Sequence, residues 1–407
     1  MKPAPTASRF VFGFMLLGCC MMTFRLLLLH FIFAAALAGP ARADSVENFY
    51  AGRTLGVIVG HSVGGGYDLY ARLLSRFLGR YIPGRPTVVV QNMPGAGGLR
   101  AANYLYAAAP KDGSVIATFS RSIPTFPLLS PPATFDGTKF TWLGSMSSDT
   151  SLCLTGAKSP VKTWRDMLTN PTIMGGQSIG ADSDIYARLY KNVLGARIKL
   201  VSGYPGTNDI TLAMERGEVD GICGLSWGTI KVAHPDWMST KHVNLLLQAG
   251  LKKDAELPDV PLASDLIDEP EKKQMLQLHF APQGMGRPYT APPNIPADRR
   301  HAGCSRSSPR GRRRRRPGGL GITALAPRPP PAGRCARDGR RTVPVEGRMA
   351  LIKAFNKTMQ DPELQADAAK EKMDIHPMTG EAIDKLIQQL YATPADVVAK
   401  AARAISE

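Results

Sequence analysis

From Leu55 onward, short β-branched runs alternate with segments of helical period, and this alternation constrains the fold more than any other feature of the chain. The strand-like runs are "LGVIVG", "PTVVVQN", "SVIATFS", "TIMGGQ", "ARIKLVS", "EVDGIC" and "VNLLLQA". Between them lie amphipathic runs such as "YDLYARLLSRFLGRYI", "SDIYARLYKNVLG" and "TNDITLAMERG". The pattern predicts an α/β architecture with mainly parallel sheet. No internal period of the kind that builds a solenoid appears. A chain of 407 residues, 44% of them hydrophobic, can fill two cores.

Four strand-to-helix junctions are rich in glycine, serine or threonine: "GHSVGGGYD", "NMPGAGGLR", "GGQSIGADSD" and "SGYPGTND". Such turns bare the N–H groups at a helix start, and their glycines let a ligand approach the backbone, which makes them ready anion sites. In the first, Gly64, Gly65 and Gly66 permit a tight turn, Asp68 is placed to cap the helix, and Ser62 and Tyr67 are candidate donors to a bound anion. The same junction contains Gly60-His61-Ser62-Val63-Gly64, which fits the Gly-x-Ser-x-Gly nucleophile elbow. A hydrolase with Ser62 as nucleophile is therefore the alternative, although the elbow falls on the first strand and no oxyanion loop precedes it. Of the candidate bases His234, His242, His279 and His376, none stands in a stretch that singles it out. No metal spacing and no complete dinucleotide fingerprint occur, so no metal or other cofactor is expected.

The net charge of +17 would suggest a polyanionic partner if it were spread over the chain. It is concentrated in two segments. Residues 1–43 carry Lys2, Arg9, Arg25 and Arg42 around apolar runs and end in Ala41-Arg42-Ala43, the pattern of a cleaved export signal, with the true start at Met21 or Met22 as one reading and a lipoprotein Cys19 as another. Residues 300–348 hold fourteen arginines and no lysine amid proline and glycine, and read as a disordered or aberrant insertion. The remainder is nearly neutral, so no nucleic-acid partner is expected. Export makes the protein extracytoplasmic. Cys153 and Cys223 could pair there, or stay as two buried thiols, the reading the sequence favours.

The blocks "VGGGYDLYARLL", "VVVQNMPGAGGLRAANYLYAA", "PKDGSVIATFS", "YPGTNDITLAMERGEVDG" and "LPDVPLASDL" resemble, in order, those of the extracytoplasmic receptors of tripartite tricarboxylate transporters, the Bug family. The resemblance runs from about Tyr50 to Arg299 and resumes at Met349. It implies a monomeric, periplasmic, two-lobed Venus-flytrap binding protein, each lobe a mainly parallel sheet flanked by helices. Lobe 1 would comprise 44–147, 252–299 and 349–407, and lobe 2 residues 148–251, with hinges near "GSMSSDTSLCLTG" and after "NLLLQAG". It implies no catalysis: a small organic carboxylate is held in the cleft and passed to membrane permease subunits. The implied ligand-binding positions are Gly64, Gly65 and Asp68; Gly95, Ala96, Gly97 and Gly98; Ser120 and Ser122; Gly180, Ala181, Asp182 and Ser183; and Tyr204, Gly206 and Thr207. Trp227 could wall the cleft or belong to the core. Two departures stand out. Arg100 replaces a commonly small residue and reads as solvent-facing, while Asp182 and Asp184 stand where the family often has a histidine and small residues, which argues against a highly charged anion.

Overall fold

The computed structural model describes residues 45–130, 134–293 and 347–406. The proposed export signal, the alternative starts, Cys19 and nearly all of the arginine-rich segment lie outside the described residues. After a short helix at Val46–Tyr50, the chain forms β1 (Thr54–Val59), α1 (Gly66–Tyr81), β2 (Thr87–Asn92), β3 (Val115–Thr118) and β4 (Thr141–Ser145). It then crosses to a second sheet through β5 (Ser151–Gly156), β6 (Thr172–Gly176), α2 (Asp182–Leu194), β7 (Ile198–Ser202), α3 (Thr207–Arg216), β8 (Gly221–Ser226), α4 (Trp227–Ala233) and β9 (Val243–Ala249). Helix α5 (Pro270–Phe280) and strand β10 (Pro288–Ala291) lead back to the first sheet. The tail supplies α6 (Gly347–Met359), α7 (Pro362–Lys370), β11 (Met378–Thr379), α8 (Gly380–Tyr391) and α9 (Ala395–Ala404).

The first sheet has the order β11-β4-β10-β3-β1-β2 and the second β7-β6-β8-β5-β9. This is the expected two-lobed α/β fold, but the sheets are mixed. Parallel pairing joins β1 to β2 and β3, and β6 to β7 and β8. The strands that carry the chain between lobes, β4 and β10 in one sheet and β5 and β9 in the other, enter antiparallel. A crossing strand arrives from the opposite direction to a βαβ unit, and a sequence run does not reveal that direction.

Local chemistry explains the helices that frame the cleft. In α1, Tyr70, Leu73, Leu74, Phe77 and Leu78 fall on one face and are buried, as the helical period requires. Helices α2 and α3 each stop at a glycine in the left-handed region, Gly195 (φ 76°) and Gly217 (φ 77°), where a side chain would strain the backbone. Asp361 caps α7 by accepting from the N–H groups of Glu363 and Leu364.

One core packs α1 and α6 against the first sheet through Leu74, Leu143, Tyr289 and Phe355. Another gathers Met174, Tyr186, Leu276, Phe280, Ala401 and Ala404 around the second. Helices α5 and α9 thus pack with the second lobe's core, against α2, whereas the block-wise reading returned all of 252–299 and 349–407 to the first lobe. Their apolar faces carry no mark of which sheet they cover. Cys153 and Cys223, facing one another on β5 and β8, are joined by a disulfide; cross-strand register, which the sequence does not show, overturns the reading of two free thiols.

Candidate functional site

All the glycine-rich junctions follow the carboxyl ends of parallel strands, β1 and β2 in the first sheet and β6 and β7 in the second, which is where open α/β sheets bind ligands. The starts of α1, α2 and α3 accordingly meet at one pocket. It is lined by His61, Gly66, Tyr67, Ser120, Arg121, Gln177, Asp182, Ser183, Thr207, Ser226, Thr229 and Arg287, among others. The space between these side chains is narrow, with room for water but not for an organic acid, so admitting one requires the lobes to part.

Two arginines form the floor, and both are almost fully buried. The Arg121 guanidinium lies 2.9 Å from Asp182 and 3.5 Å from Asp149, and its Nη1 donates to Gln283 Oε1 at 2.7 Å. Arg287 pairs with Asp149 at 2.8 Å and donates through Nη2 to Ser226 and Thr229, at 2.6 and 3.0 Å. The Arg287 guanidinium is also stacked between the rings of Tyr67 and Tyr70, 5.0 and 4.9 Å from their centroids. Burial works to raise the pKa of Asp149, but Arg287 and Arg121 outweigh it and hold the carboxylate ionised, below its ordinary value.

His61 packs flat on Tyr67, ring centroids 4.4 Å apart, and its Nδ1 lies 3.0 Å from Gln177 Nε2. Because the amide nitrogen can only donate, Nδ1 is the acceptor and Nε2 carries the hydrogen. That Nε2 is buried without a partner. Burial, with Arg287 and Arg121 nearby, lowers the His61 pKa to about 3, so the ring is neutral.

The residues singled out from the sequence fall into three groups. Tyr67, Ser120, Asp182, Ser183 and Thr207 line the pocket together with Gly66. Ser122 Oγ and Ser120 Oγ both donate to Asp182 Oδ1 rather than standing free. Gly64, Asp68 and Ser62 serve the loop itself. Asp68 accepts from the Gly64 N–H, Asn92 and Arg72, and these bonds outweigh burial to lower its pKa. Ser62 Oγ is 2.8 Å from both Asn208 Oδ1 and Asp209 Oδ2 at the start of α3, and the Asn208 amide donates to the Val63 carbonyl. The Ser62 hydroxyl thus has no histidine partner, and the geometry of a hydrolytic triad is not formed.

The third group makes lobe-to-lobe contact. Gly97, with φ 62°, lies so close to Ser178 and Ala181 that a Cβ there would sit 2.8 and 2.7 Å from them, and a Cβ on Gly206 would collide with Ser62. Gly65 faces Thr207 and Asn208 across the same gap, and Gly180 abuts Ile123 and Leu99. Gly95 and Gly98 give the second loop its positive-φ turns, with Ala96 between them at φ 47°. Tyr204 and Trp227 instead pack on the apolar cluster of Leu154 and Ile222. Trp227 also donates to Glu256 and lines a separate groove on the hinge side, so it does not wall this pocket. Arg100 is exposed, as expected, and Asp184 bonds Ser202 and Ser183 away from the cleft.

Sequence reading missed His61, Asp149, Gln177, Arg121 and Arg287. The available signal was positional: Arg121 stands between the two serines Ser120 and Ser122, immediately after β3. Among the described residues no group of acidic, histidine or cysteine side chains could hold a metal, and no helix is long and apolar enough to cross a membrane.

The fold and cleft define a two-lobed protein of periplasmic-binding-protein architecture. No family model matches the chain. In sequence it is similar to a "UPF0065 protein in gbd 5'region" of Cupriavidus necator, 24% identical over 245 residues covering 57% of this chain and 68% of that protein. It is also similar to a "UPF0065 protein in the TAR-I ttuE-ttuC' intergenic region" of Agrobacterium vitis, 29% identical over 228 residues covering 54% of this chain and 63% of that one. Among solved structures, the periplasmic binding protein BugD superposes with a TM-score of 0.61 at 18% identity, over 86% of this chain and 98% of its own. MatC from Rhodopseudomonas palustris with bound malate gives 0.56 at 18% identity, over 85% and 99%. The R. palustris protein Rpa4515 with adipate gives 0.59 at 16%, over 86% and 98%. The sequence blocks resemble those of the Bug-family receptors, and the fold is shared with the periplasmic binding protein BugD.

Proposed function

We propose that the protein is an extracytoplasmic solute receptor that closes two α/β lobes on a small organic carboxylate and delivers it to the permease subunits of a tripartite tricarboxylate-type transporter. The observation that carries the reading is the pocket itself: helix starts from both lobes converge on two buried guanidinium groups and an unpartnered His61 N–H. Such an array binds a carboxylate by preorganised donors and needs no covalent step. Malate and adipate in two structures of the same fold support it. Lobe closure follows from the contacts across the gap, with the crossings at 146–150 and after β9 as hinges. Export by a signal ending at Ala43 and action as a monomer complete the proposal.

The test is a thermal-shift screen of the mature protein against mono-, di- and tricarboxylates and amino acids, with calorimetry on the hits. A ligand that binds only the folded state raises the melting temperature in proportion to RT ln(1 + [L]/Kd). A screen in which no organic acid produces a saturable rise sinks the receptor reading.

A further inference from the structure

The pocket is built charge-balanced. Its two cations, Arg121 and Arg287, are met at 2.9 and 2.8 Å by two carboxylates, Asp182 and Asp149, and all four side chains are at most 7% exposed. His61 adds a donor but no charge. The helix starts are similarly spoken for. Helices α1, α2 and α3 each carry an aspartate in the first turn, Asp68, Asp182 and Asp209, which offsets the partial positive charge that a helix N-terminus would otherwise offer.

A dicarboxylate closed into this site would bring two negative charges into a volume whose two arginines are already balanced by Asp182 and Asp149, and desolvating charge without a compensating partner is costly. Asp182 also takes up the donors that would serve one end of a dicarboxylate. Its Oδ1 receives the hydroxyls of Ser120 and Ser122 and its Oδ2 faces Arg121, so an internal carboxylate already stands at that end. A carboxylate accepts about four hydrogen bonds in all, which leaves Asp182 an accepting position toward the pocket that it lines. At the other end, the unpartnered His61 Nε2–H and the Arg287 guanidinium are donors only.

Resting on the receptor reading above, we infer that the ligand is a zwitterionic aminocarboxylate, its ammonium group met by Asp182 and its carboxylate by the His61 and Arg287 side of the pocket. A ligand of no net charge leaves the balanced site balanced, and each of its charged ends meets an opposite group. The specificity-determining residue is Asp182.

The experiment titrates the mature protein calorimetrically with 2-aminobutanoate, 4-aminobutanoate, their hydroxy counterparts and succinate, all on a four-carbon skeleton. The expected result is that one of the amino acids binds at least about tenfold tighter than its hydroxy counterpart and than succinate. Asp182→Asn should erase that preference, moving the ratio of amino-acid to succinate affinity down by about tenfold or more. Should the variant fail to fold, the wild-type ratio alone decides. Tighter binding of succinate or of a hydroxy acid overturns this inference and leaves the receptor reading intact. A preference unchanged in a folded Asp182→Asn protein overturns the role of Asp182, and binding of none of the five by a protein whose melting temperature still rises with another non-amino organic acid overturns the inference alone.

Discussion

Arg121, on the loop after β3 of the first sheet, lies 2.9 Å from Asp182 at the start of α2 beside the second. Both groups are buried, so each offsets part of the other's desolvation. Removing one member of such a pair typically costs about 3–5 kcal/mol, because the survivor is left charged and dry. We predict that Arg121→Met lowers the melting temperature markedly and abolishes any ligand-dependent rise. Retention of a wild-type ligand response in the variant would show that the pair has no part in the site.

Gly66 is where α1 begins against α4, and a Cβ there would sit 2.1 Å from Thr229 Oγ1 and 3.0 Å from the Arg287 guanidinium. Gly66→Ala should therefore hold the lobes apart while leaving each core packed. The expected outcome is a native circular-dichroism spectrum with affinity reduced by roughly tenfold or more, set by the overpacking cost of about 1–3 kcal/mol. Unchanged affinity would mean that the lobes close without this contact.

Ser62 links the first loop to α3 through Asn208 and Asp209. Losing one such bond costs about 1 kcal/mol, so Ser62→Ala should weaken ligand binding about fivefold through poorer closure. Neither the wild type nor the variant should turn over nitrophenyl esters. Ester hydrolysis that vanishes with the substitution would restore the nucleophile reading.

Acid should unfold the protein early. His61 is depressed to about 3 and His279 to about 4, both chiefly by burial, whereas the unfolded chain titrates near 6.5. Between these values the unfolded state binds more protons than the folded one, so stability rises with pH there and falls on acidification from 6.5 toward 4. The slope from the two groups is on the order of 1.4 kcal/mol per pH unit each. His61→Gln should flatten the profile of melting temperature against pH; an equally steep profile would move the cause elsewhere.

The disulfide between Cys153 and Cys223 closes a loop of sequence separation 70 within the second sheet. Chain-entropy arguments put its contribution at about 4 kcal/mol as an upper figure. Reduction, or the Cys153→Ser and Cys223→Ser pair, should lower the melting temperature, and peptide mapping without reductant should recover the two cysteines linked. Recovery of both as free thiols in protein purified without reductant would reverse this assignment.

The cleft was legible in outline and opaque in detail, for a physical reason. Glycines at 64–66 and 95–98 announce themselves because few residues tolerate such turns, and the alternating apolar runs place them at strand ends. Arg121 and Arg287 do not announce themselves. An isolated arginine ordinarily faces solvent, and the carboxylates that license its burial, Asp149 and Asp182, are brought to it only by the crossing between lobes. Trp227 shows the converse. A large aromatic after a strand could wall the cleft or join the core, and its neighbours Leu154 and Glu256, which come from distant segments, draw it to the apolar cluster.

Helices α6 to α9 come last in the chain yet complete both halves of the molecule, α6 against α1 and α9 against α2 and α5. A polypeptide that stopped short of Gly347 would leave Leu74 and Phe355's other neighbours on one side, and Leu276 and Phe280 on the other, open to water. Such a fragment cannot reach a stable fold lobe by lobe. Synthesis must pass these helices before either half is sealed, so one late-made stretch fastens both cores at once.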